Sequence, residues 1–319
     1  MPSPNGGFVA VAGGDAHSLG LKFDGSIVAW GDNSIGQCTV PYPNSGFVAV
    51  AAGYNNSLGL KTDGSIVVWG NNSYGQCTVP SPNSGFFEVA AGYNHILGLK
   101  TDGSIVVWGN NSYGQCNVPL PNTEFIAIAA GADHSLGLKS NGSILAWGNN
   151  GNGQCNIPSP NMDFIAIKAG GFFSIGLKSN GSIIAWGYNG DGRCNVPSPN
   201  SDFVEIAAGG AFGLGLKSNS SIVAWGYNYF GQCNVPSPNS GFVALAAGGL
   251  HSIGLKFIDG DINGDAAVDF VDFALFANHW LEMDCEESNN WCSGADLDKS
   301  GSVDLYDLGK FAEYWLEGF

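Results

Sequence analysis

The sequence predicts a mainly β protein, a seven-bladed β-propeller, followed by a small α-helical module. A 39-residue unit recurs along residues 1–257, as expected when each unit builds one propeller blade. A second repeat, with a step of 35 residues, occupies the acidic segment 258–319. The 49 glycines and 12% charged residues of this 319-residue chain favour short strands joined by tight turns. We therefore expect one domain at 1–257 and another at 258–319.

Three residue types mark the 39-residue repeat at fixed positions. Phenylalanine opens each unit, at Phe8, Phe47, Phe86, Phe125, Phe164, Phe203 and Phe242. Tryptophan recurs at Trp30, Trp69, Trp108, Trp147, Trp186 and Trp225. Cysteine keeps the same step at Cys38, Cys77, Cys116, Cys155, Cys194 and Cys233.

Each unit contains three or four short strand segments. We expect the apolar stretch F-V-A-V-A-A to be the innermost strand, because only small side chains fit where blades converge. The stretch S-L-G-L-K follows, and an Asp-Gly or Asn-Gly turn such as Asp24-Gly25 connects it to the strand S-I-V-A-W-G. Asn219-Ser220 replaces this turn in the sixth unit. The tryptophans are expected to fill the wider space between blades, and V-P-S-P-N links one unit to the next.

The seventh unit lacks a tryptophan strand, because its second strand ends at Lys256-Phe257 and leads directly into the acidic segment. Residues 1–6 resemble the link V-P-S-P-N-S, with Met1 at the position of a valine. We therefore expect the gene to continue upstream, where it would encode the missing strand and a secretion signal. A genuine start with an open last blade is the alternative.

The pattern V-A-A-G-x-x-H-S-L-G-L-K-x-D-G-S-I-V-A-W-G-x-N-x-x-G-Q is similar to the repeat of the regulator-of-chromosome-condensation family over residues 7–257. The unit length and the G-Q-x-x-V-P ending resemble bacterial secreted members, among them an inhibitory protein of β-lactamases. The resemblance implies a seven-bladed propeller whose last blade is closed by a strand from the N-terminus. Family members share no single activity, so the resemblance leaves the function of the propeller open.

Two sets of reactive side chains in the repeat are interpreted as structural. One position varies between histidine, asparagine and phenylalanine, at His17, Asn56, His95, His134, Phe173, Phe212 and His251. A ligand or catalytic role would not survive replacement by phenylalanine, so we expect these side chains to close the turn before the second strand. The six cysteines are expected to be buried free thiols, because equivalent points on neighbouring blades lie beyond the ~7 Å Cα limit for a disulfide.

Binding is expected at two loops that vary between units. One follows A-G and contains Asp15-Ala16 in the first unit, and the other follows W-G and contains Asn33-Ser34-Ile35. Variable loops on a rigid scaffold are where recognition usually occurs, although neutral drift of surface loops is the alternative. Aromatic residues of these loops are the candidate partner-binding residues, since aromatic side chains anchor many interfaces. They are Tyr54, Tyr74, Tyr93, Tyr113, Tyr188, Tyr227, Tyr229 and Phe230.

The 35-residue repeat duplicates a 12-residue loop with oxygen-bearing side chains at alternate positions. This is the calcium spacing of an EF-hand, in which the seventh residue contributes its backbone carbonyl. We predict two calcium ions, one in each loop, and expect calcium to drive folding of the segment. Ala266 stands where glycine normally makes the sharp turn, which predicts weaker binding in the first loop. The predicted ligands are Asp261, Asn263, Asp265, Ala267, Asp269 and Asp272 in the first loop, and Asp296, Asp298, Ser300, Ser302, Asp304 and Asp307 in the second.

A helix with apolar residues at helical spacing is predicted after each loop. These residues are Phe273, Phe276, Ala277, Trp280 and Leu281, then Leu308, Phe311, Ala312, Trp315 and Leu316. Two loop–helix units in tandem resemble a dockerin, which implies a cohesin-like protein as partner. The positions that would contact it, Phe270-Val271 and Leu305-Tyr306, are more apolar than is usual for dockerins. Cys285 and Cys292 in the spacer are expected to form a local disulfide, which favours an extracellular location.

The net charge of −16 is concentrated in the C-terminal segment. Residues 1–257 hold 12 acidic and 9 basic side chains, whereas residues 258–319 hold 15 and 2. A chain this acidic repels phosphate backbones, so nucleic acid is not an expected partner. No apolar run approaches the roughly 18 residues of a membrane-spanning helix.

The leading hypothesis is a secreted, non-catalytic binding protein. The C-terminal module would dock to a cohesin-like partner, and the propeller face would recognise a protein or a glycan. Two alternatives stay open: a carbohydrate-active component of an extracellular polysaccharide-degrading assembly, and a propeller that inhibits a secreted enzyme. A glycosidase needs paired carboxylates, but Asp15, Asp133 and Asp191 are scattered across blades.

Overall fold

The computed structural model describes residues 6–256, 270–286, 290–297 and 299–317. The chain forms two compact units, one spanning Val9–Leu255 and one that contains the residues from Lys256 onward. The first unit is built from β-strands, and the described part of the second is mainly helical.

The first unit contains seven antiparallel sheets, numbered here as blades 1 to 7 in chain order. Blades 1 to 6 have an inner, a middle and an outer strand, and blade 7 has an inner and a middle strand among the described residues. The inner strands are β1 (Phe8–Gly13), β4 (Phe47–Ala52), β7 (Phe86–Ala91), β10 (Phe125–Ala130), β13 (Phe164–Ala169), β16 (Phe203–Ala208) and β19 (Phe242–Ala247). The middle strands are β2 (His17–Lys22), β5 (Asn56–Lys61), β8 (His95–Lys100), β11 (His134–Lys139), β14 (Phe173–Lys178), β17 (Phe212–Lys217) and β20 (Ser252–Lys256). The outer strands are β3 (Ile27–Gly31), β6 (Ile66–Gly70), β9 (Ile105–Gly109), β12 (Ile144–Gly148), β15 (Ile183–Gly187) and β18 (Ile222–Gly226).

Blades 7 and 1 lie next to each other, which closes the ring. The backbone N–H of Gly249 donates to the carbonyl oxygen of Gly14 over 2.9 Å. The Oγ of Ser18 lies 2.9 Å from Nε2 of His251. Residues from all seven inner strands border one central channel, a cavity of about 240 Å³. The predicted seven-bladed propeller is confirmed, with three strands rather than four in each full blade.

The core of the propeller lies between the faces of neighbouring blades. Leu136 of blade 4 packs against Phe164 and Trp186 of blade 5, and all three side chains are buried. Five of the six repeat tryptophans are buried between blades in this way, as expected, whereas Trp30 is partly buried. The packing of the opening phenylalanine also explains the glycine of S-L-G-L-K, because a Cβ at Gly137 would lie 2.5 Å from Cε1 of Phe125.

The hairpin between middle and outer strands differs in one detail from the predicted turn. Gly25 has a φ of 75°, but Asp24 is not in the left-handed region, and its Oδ1 accepts a hydrogen bond from the N–H of Ser26 (2.8 Å). Aspartate is therefore favoured because its side chain closes the turn, and not because it tolerates a positive φ. In blade 6, Ser220 adopts the left-handed conformation, with a φ of 62°.

The V-P-S-P-N link is attached to both blades that it joins. The side-chain amide of Asn44 accepts from the N–H of Ile27 (2.7 Å) and donates to its carbonyl oxygen (2.8 Å). Lys61 of the next blade donates from Nζ to the carbonyl oxygen of Ser45 (3.1 Å). The link therefore connects the outer strand of one blade to the next blade through side-chain hydrogen bonds.

Three helices form most of the described part of the second unit: α1 (Phe270–Asn278), α2 (Asn290–Gly294) and α3 (Leu305–Glu317). The rings of Phe276 and Phe311 stack with centroids 5.4 Å apart, and both side chains are buried. Val303 and the disulfide Cys285–Cys292 pack into the same core. Helix α2 lies in the spacer between the two loop–helix units and was not predicted from the sequence.

Some residues assigned to the apolar helix faces are not buried. Leu281 follows the end of α1 and is 68% exposed, and Ala277 and Ala312 are exposed as well. Trp280 is partly buried and packs against Phe276 with centroids 5.7 Å apart. The apolar helical spacing therefore extends in the sequence to Leu281, whereas α1 ends at Asn278.

Candidate functional site

The histidine position of the repeat links blades. Nε2 of His134 lies 3.0 Å from Oγ of Ser174 in the next blade, and this Oγ donates to the carbonyl oxygen of Gln154 (2.9 Å). Nε1 of Trp186 donates to the same carbonyl oxygen over 2.9 Å. Burial lowers the pKa of His134 to about 4, so its imidazole is neutral at pH 7. These bonds support a structural role.

The six repeat cysteines are free thiols, but they are half-buried rather than buried. Their S–H groups donate to backbone carbonyls, as Cys116 does to Asn110 over 3.1 Å. Burial raises the pKa of Cys77, Cys116 and Cys155 to about 11, so these thiols are protonated and poorly nucleophilic at neutral pH.

The two variable loops of each repeat lie at the same end of the blades. His17 at the start of a middle strand pairs with Gly31 at the end of the outer strand. The N–H of Asp32, in the second loop, donates to the carbonyl oxygen of Ala16, in the first (2.9 Å). Both loops therefore contribute to one surface of the propeller, which we call the loop face.

A cavity of about 890 Å³ opens on the loop face. Four of the predicted aromatic residues line it, Tyr54, Tyr93, Tyr188 and Tyr227. The Tyr54 and Tyr93 rings are 4.7 Å apart. Further residues of the wall are Asp15, Asn152, Phe172, Asp191, Arg193 and Leu250.

Arg193 is the only arginine of the chain, and it is 5% exposed in the wall of this cavity. Its guanidinium forms an ion pair with Asp191 and lies over the ring of Tyr188, 4.8 Å from the centroid. The repeat pattern did not lead us to expect a binding role for Arg193. The signal that could have done so is the replacement, in one unit, of the glutamine that precedes the repeat cysteine.

Two other groups of the cavity have shifted pKa values. Burial raises the pKa of the Asp15 carboxyl, and the nearby His251 partly offsets this effect. Burial also raises the pKa of Tyr93, and the Asp15 charge adds to it. In both groups, partial removal from water disfavours the charged form.

The other predicted aromatic residues lie outside the cavity wall. Tyr74 and Tyr113 are each more than half exposed. Tyr229 and Phe230 are exposed and form an aromatic cluster with Tyr227, with ring centroids 5.0 to 6.4 Å apart.

The central channel shares Asp15, Tyr54 and Tyr93 with this cavity, so the two are continuous. Apart from the residues shared with the cavity, Glu88 and Lys168 are charged side chains on a channel wall formed by glycine and small or aliphatic residues. Burial raises the pKa of Glu88 to about 7, with a partial offset from Lys168.

In the second calcium loop, the described residues have the chemistry that calcium requires. The carboxylate of Asp296, the first ligand position, is 2% exposed and accepts from the N–H groups of Ser300 (3.1 Å) and Gly301 (2.9 Å). Asp307, the twelfth position, is buried and accepts from the N–H of Asp304 (2.8 Å). Gly301 has a φ of 97°, which provides the sharp turn at position 6. Buried carboxylates around a tight loop fit a hard cation.

Six other predicted ligands lie outside the described residues, namely Asp261, Asn263, Asp265, Ala267, Asp269 and Asp298. Asp272, the twelfth position of the first loop, is buried. Within the described ranges, no three carboxylate, histidine or cysteine side chains form a metal-binding group.

The spacer of the second unit pairs with the second calcium loop. The N–H of Cys285 donates to the carbonyl oxygen of Gly301 (3.1 Å), and the N–H of Val303 donates to that of Glu282 (2.9 Å). The Cys285–Cys292 disulfide, with its Cα atoms 5.0 Å apart, is therefore joined to the loop by the backbone of Cys285.

In the described parts of the chain, no helix is long and apolar enough to cross a membrane. Known structures resemble the fold. The crystal structure of Prp20p from Saccharomyces cerevisiae has a TM-score of 0.68 and 18% sequence identity, and the match covers 85% of each chain. The ectodomain of the Physcomitrella patens receptor kinase CR4 has a TM-score of 0.66 and 25% identity, covering 79% of this chain and 71% of that chain. Human WBSCR16 has a TM-score of 0.65 and 19% identity, covering 78% and 87%.

No curated protein matches the chain significantly. Residues 259–314 match the dockerin type I domain, which implies calcium as a ligand and a cohesin-type protein as a partner. The regulator of chromosome condensation (RCC1) repeat matches six segments, 8–37, 47–76, 88–115, 125–154, 164–193 and 203–232, which together make up more than half of the chain. The chain therefore belongs to the family of proteins built from RCC1 repeats, and it carries a dockerin type I domain in addition.

Proposed function

We propose that this chain is a secreted, non-catalytic binding protein with two domains, a propeller at 1–257 and a docking domain at 258–319. The docking domain binds two calcium ions and attaches to a cohesin-type protein. The loop face of the propeller binds a second partner, with the eight aromatic residues of its loops as candidate contacts. The calcium ligands are those predicted for the two loops.

The observation that carries this proposal is the burial of Asp296 and Asp307 at the first and last ligand positions of one loop. A buried carboxylate is costly unless a cation or several hydrogen bonds compensate for its lost hydration. Directly beside these ligands, Leu305 and Tyr306 are 73% and 77% exposed. Two large apolar side chains on the surface of a small unit favour a protein-binding site there.

Binding of the full chain to an immobilised type I cohesin tests the proposal. We expect binding in calcium that is lost in EDTA, and at least tenfold weaker binding after Leu305→Ser with Tyr306→Ser, as for interface anchors. Met283→Ser is the matched control, because Met283 is also 77% exposed in the same unit. Equal binding in calcium and EDTA, or an effect of Met283→Ser as large as that of the double variant, contradicts the proposal.

A further inference from the structure

The loop-face cavity lies where the blades depart from their own repeat. Tyr54 in blade 2 and Tyr93 in blade 3 occupy the same repeat position. In blades 5, 6 and 7 this position is glycine, at Gly171, Gly210 and Gly249. A Cβ at Gly171 would lie 3.6 Å from Oη of Tyr93, so Tyr93 reaches across the ring to blade 5. Tyr93 therefore faces a repeat position that has no side chain in blade 5, and the opening is asymmetric.

Arg193 replaces a residue with a clear structural task. In blade 1, Oε1 of Gln37 accepts from the N–H of Ile35 over 2.9 Å, and the equivalent glutamines of other blades do the same. Arginine has no acceptor atom, so Arg193 gives up this bond. It gains instead an ion pair with Asp191, whose side chain is 37% exposed, and a partly exposed ion pair of this kind adds little stability. The substitution is therefore better explained by binding than by folding.

The wall of the cavity combines aromatic faces with planar hydrogen-bonding groups. Tyr188 is 43% exposed and its ring is held by the guanidinium of Arg193. The wall of the same cavity also contains the amide of Asn152 and the carboxylates of Asp15 and Asp191. Aromatic rings bind the C–H face of a sugar ring, and planar amide, carboxylate and guanidinium groups bind adjacent hydroxyls in pairs.

The charges of the wall favour a neutral ligand. Asp191 already balances Arg193, and Asp15 leaves an excess of negative charge, so uronates, sulfates and phosphates are disfavoured. A cavity of about 890 Å³ is within the size range of small-ligand sites. We propose that the loop-face cavity binds a neutral oligosaccharide, with one sugar ring against Tyr188 and its hydroxyls on Arg193 and Asp191. This inference rests on the part of the proposed function that assigns recognition to the propeller.

Calorimetric titration of the full chain in calcium tests it, with gluco-, xylo-, manno- and galacto-configured neutral oligosaccharides as probes. We expect at least one to bind with a Kd of about 1 mM or tighter. Tyr188→Ala and Arg193→Gln should each weaken binding about tenfold or more. Arg193→Gln restores the residue of the other blades and so retains the fold. Tyr42→Ser is the unaffected control, because Tyr42 is 97% exposed in the link after blade 1 and serine occupies the same position in other links.

Three results overturn the inference. The first is that none of the neutral probes binds. The second is that a charged probe, either an anionic oligouronate or the cation tetramethylammonium, binds more tightly than the neutral probes, and the third is saccharide binding that neither cavity variant weakens. Cohesin binding measured on the same samples separates the two proposals. If it persists while saccharides fail to bind, the docking proposal stands and the cavity assignment falls. If saccharides bind while cohesin does not, the docking proposal falls instead.

Discussion

Nε2 of His134 lies 3.0 Å from Oγ of Ser174 in the next blade. Because the serine hydroxyl donates its one hydrogen to the carbonyl oxygen of Gln154, the imidazole must donate from Nε2. His17 with Ser57, His95 with Ser135, and His251 with Ser18 repeat this pair around the ring. In two of the three units without the histidine, the serine of the following blade is also missing, at Ile96 and Gly213.

Acid should loosen the ring by protonating these histidines. Burial lowers the pKa of His95 to about 3 and of His17 and His134 to about 4, whereas the pKa of histidine in an unfolded chain is about 6.5. The stabilisation is therefore fully present above about pH 6.5 and is lost as pH falls to about 4. Urea unfolding of wild type and His134→Gln across this range should show a loss of about 3 kcal/mol or less per histidine, and a smaller loss in the variant. Equal pH dependence of the two proteins would argue against this mechanism.

Transplanting the His–Ser pair should stabilise the contact between blades 2 and 3. The side-chain atoms Nδ2 and Oδ1 of buried Asn56 have no hydrogen-bond partner among the described residues. Asn56→His with Ile96→Ser should raise the free energy of unfolding by about 1 kcal/mol more than the sum of the single changes. A double-mutant cycle from urea unfolding measures this coupling, and a coupling of zero would mean that the pair carries no inter-blade energy.

Glu88 in the channel should destabilise the propeller at alkaline pH. Its folded pKa of about 7 lies above the ordinary value of 4.5, so the protonated form is favoured by folding. The contribution of the protonated Glu88 carboxyl to the free energy of unfolding is fully present below about pH 4.5 and is lost as pH rises through about 7. Glu88→Gln should therefore raise Tm relative to wild type at pH 8 and leave the difference smaller at pH 5. A Tm difference that is the same at both pH values would contradict the burial argument.

The disulfide should strengthen calcium binding by the second loop. Cys285 is held by Cys292 and donates its backbone N–H to Gly301 within the loop. Cys285→Ser with Cys292→Ser should weaken calcium binding at that loop several-fold. Without the disulfide, the segment around Cys285 has to become ordered when calcium binds, and this entropy cost lowers the affinity. Calorimetry with calcium measures this. Cys116→Ser, which removes a free thiol of the propeller, is the control and should leave calcium affinity unchanged.

The blades could be predicted from the sequence because each structural task falls on the same repeat position. The Phe125 ring packs against Gly137 of the same blade, and Trp186 donates a hydrogen bond to the carbonyl oxygen of Gln154 in the preceding unit. The equivalent residues recur at these positions in most other units. The cavity could not be predicted, because Tyr93 and Gly171 belong to blades that meet only once the ring has closed. Leu281 was assigned wrongly because helical spacing carries no information about where α1 ends.

The most direct test of the central claim is the calcium stoichiometry of the full chain, measured by calorimetry. We predict two calcium ions per chain for wild type and one after Asp296→Ala with Asp307→Ala, with the propeller unfolding transition unchanged. Wild-type protein that binds no calcium, or a variant that still binds two ions, would contradict it.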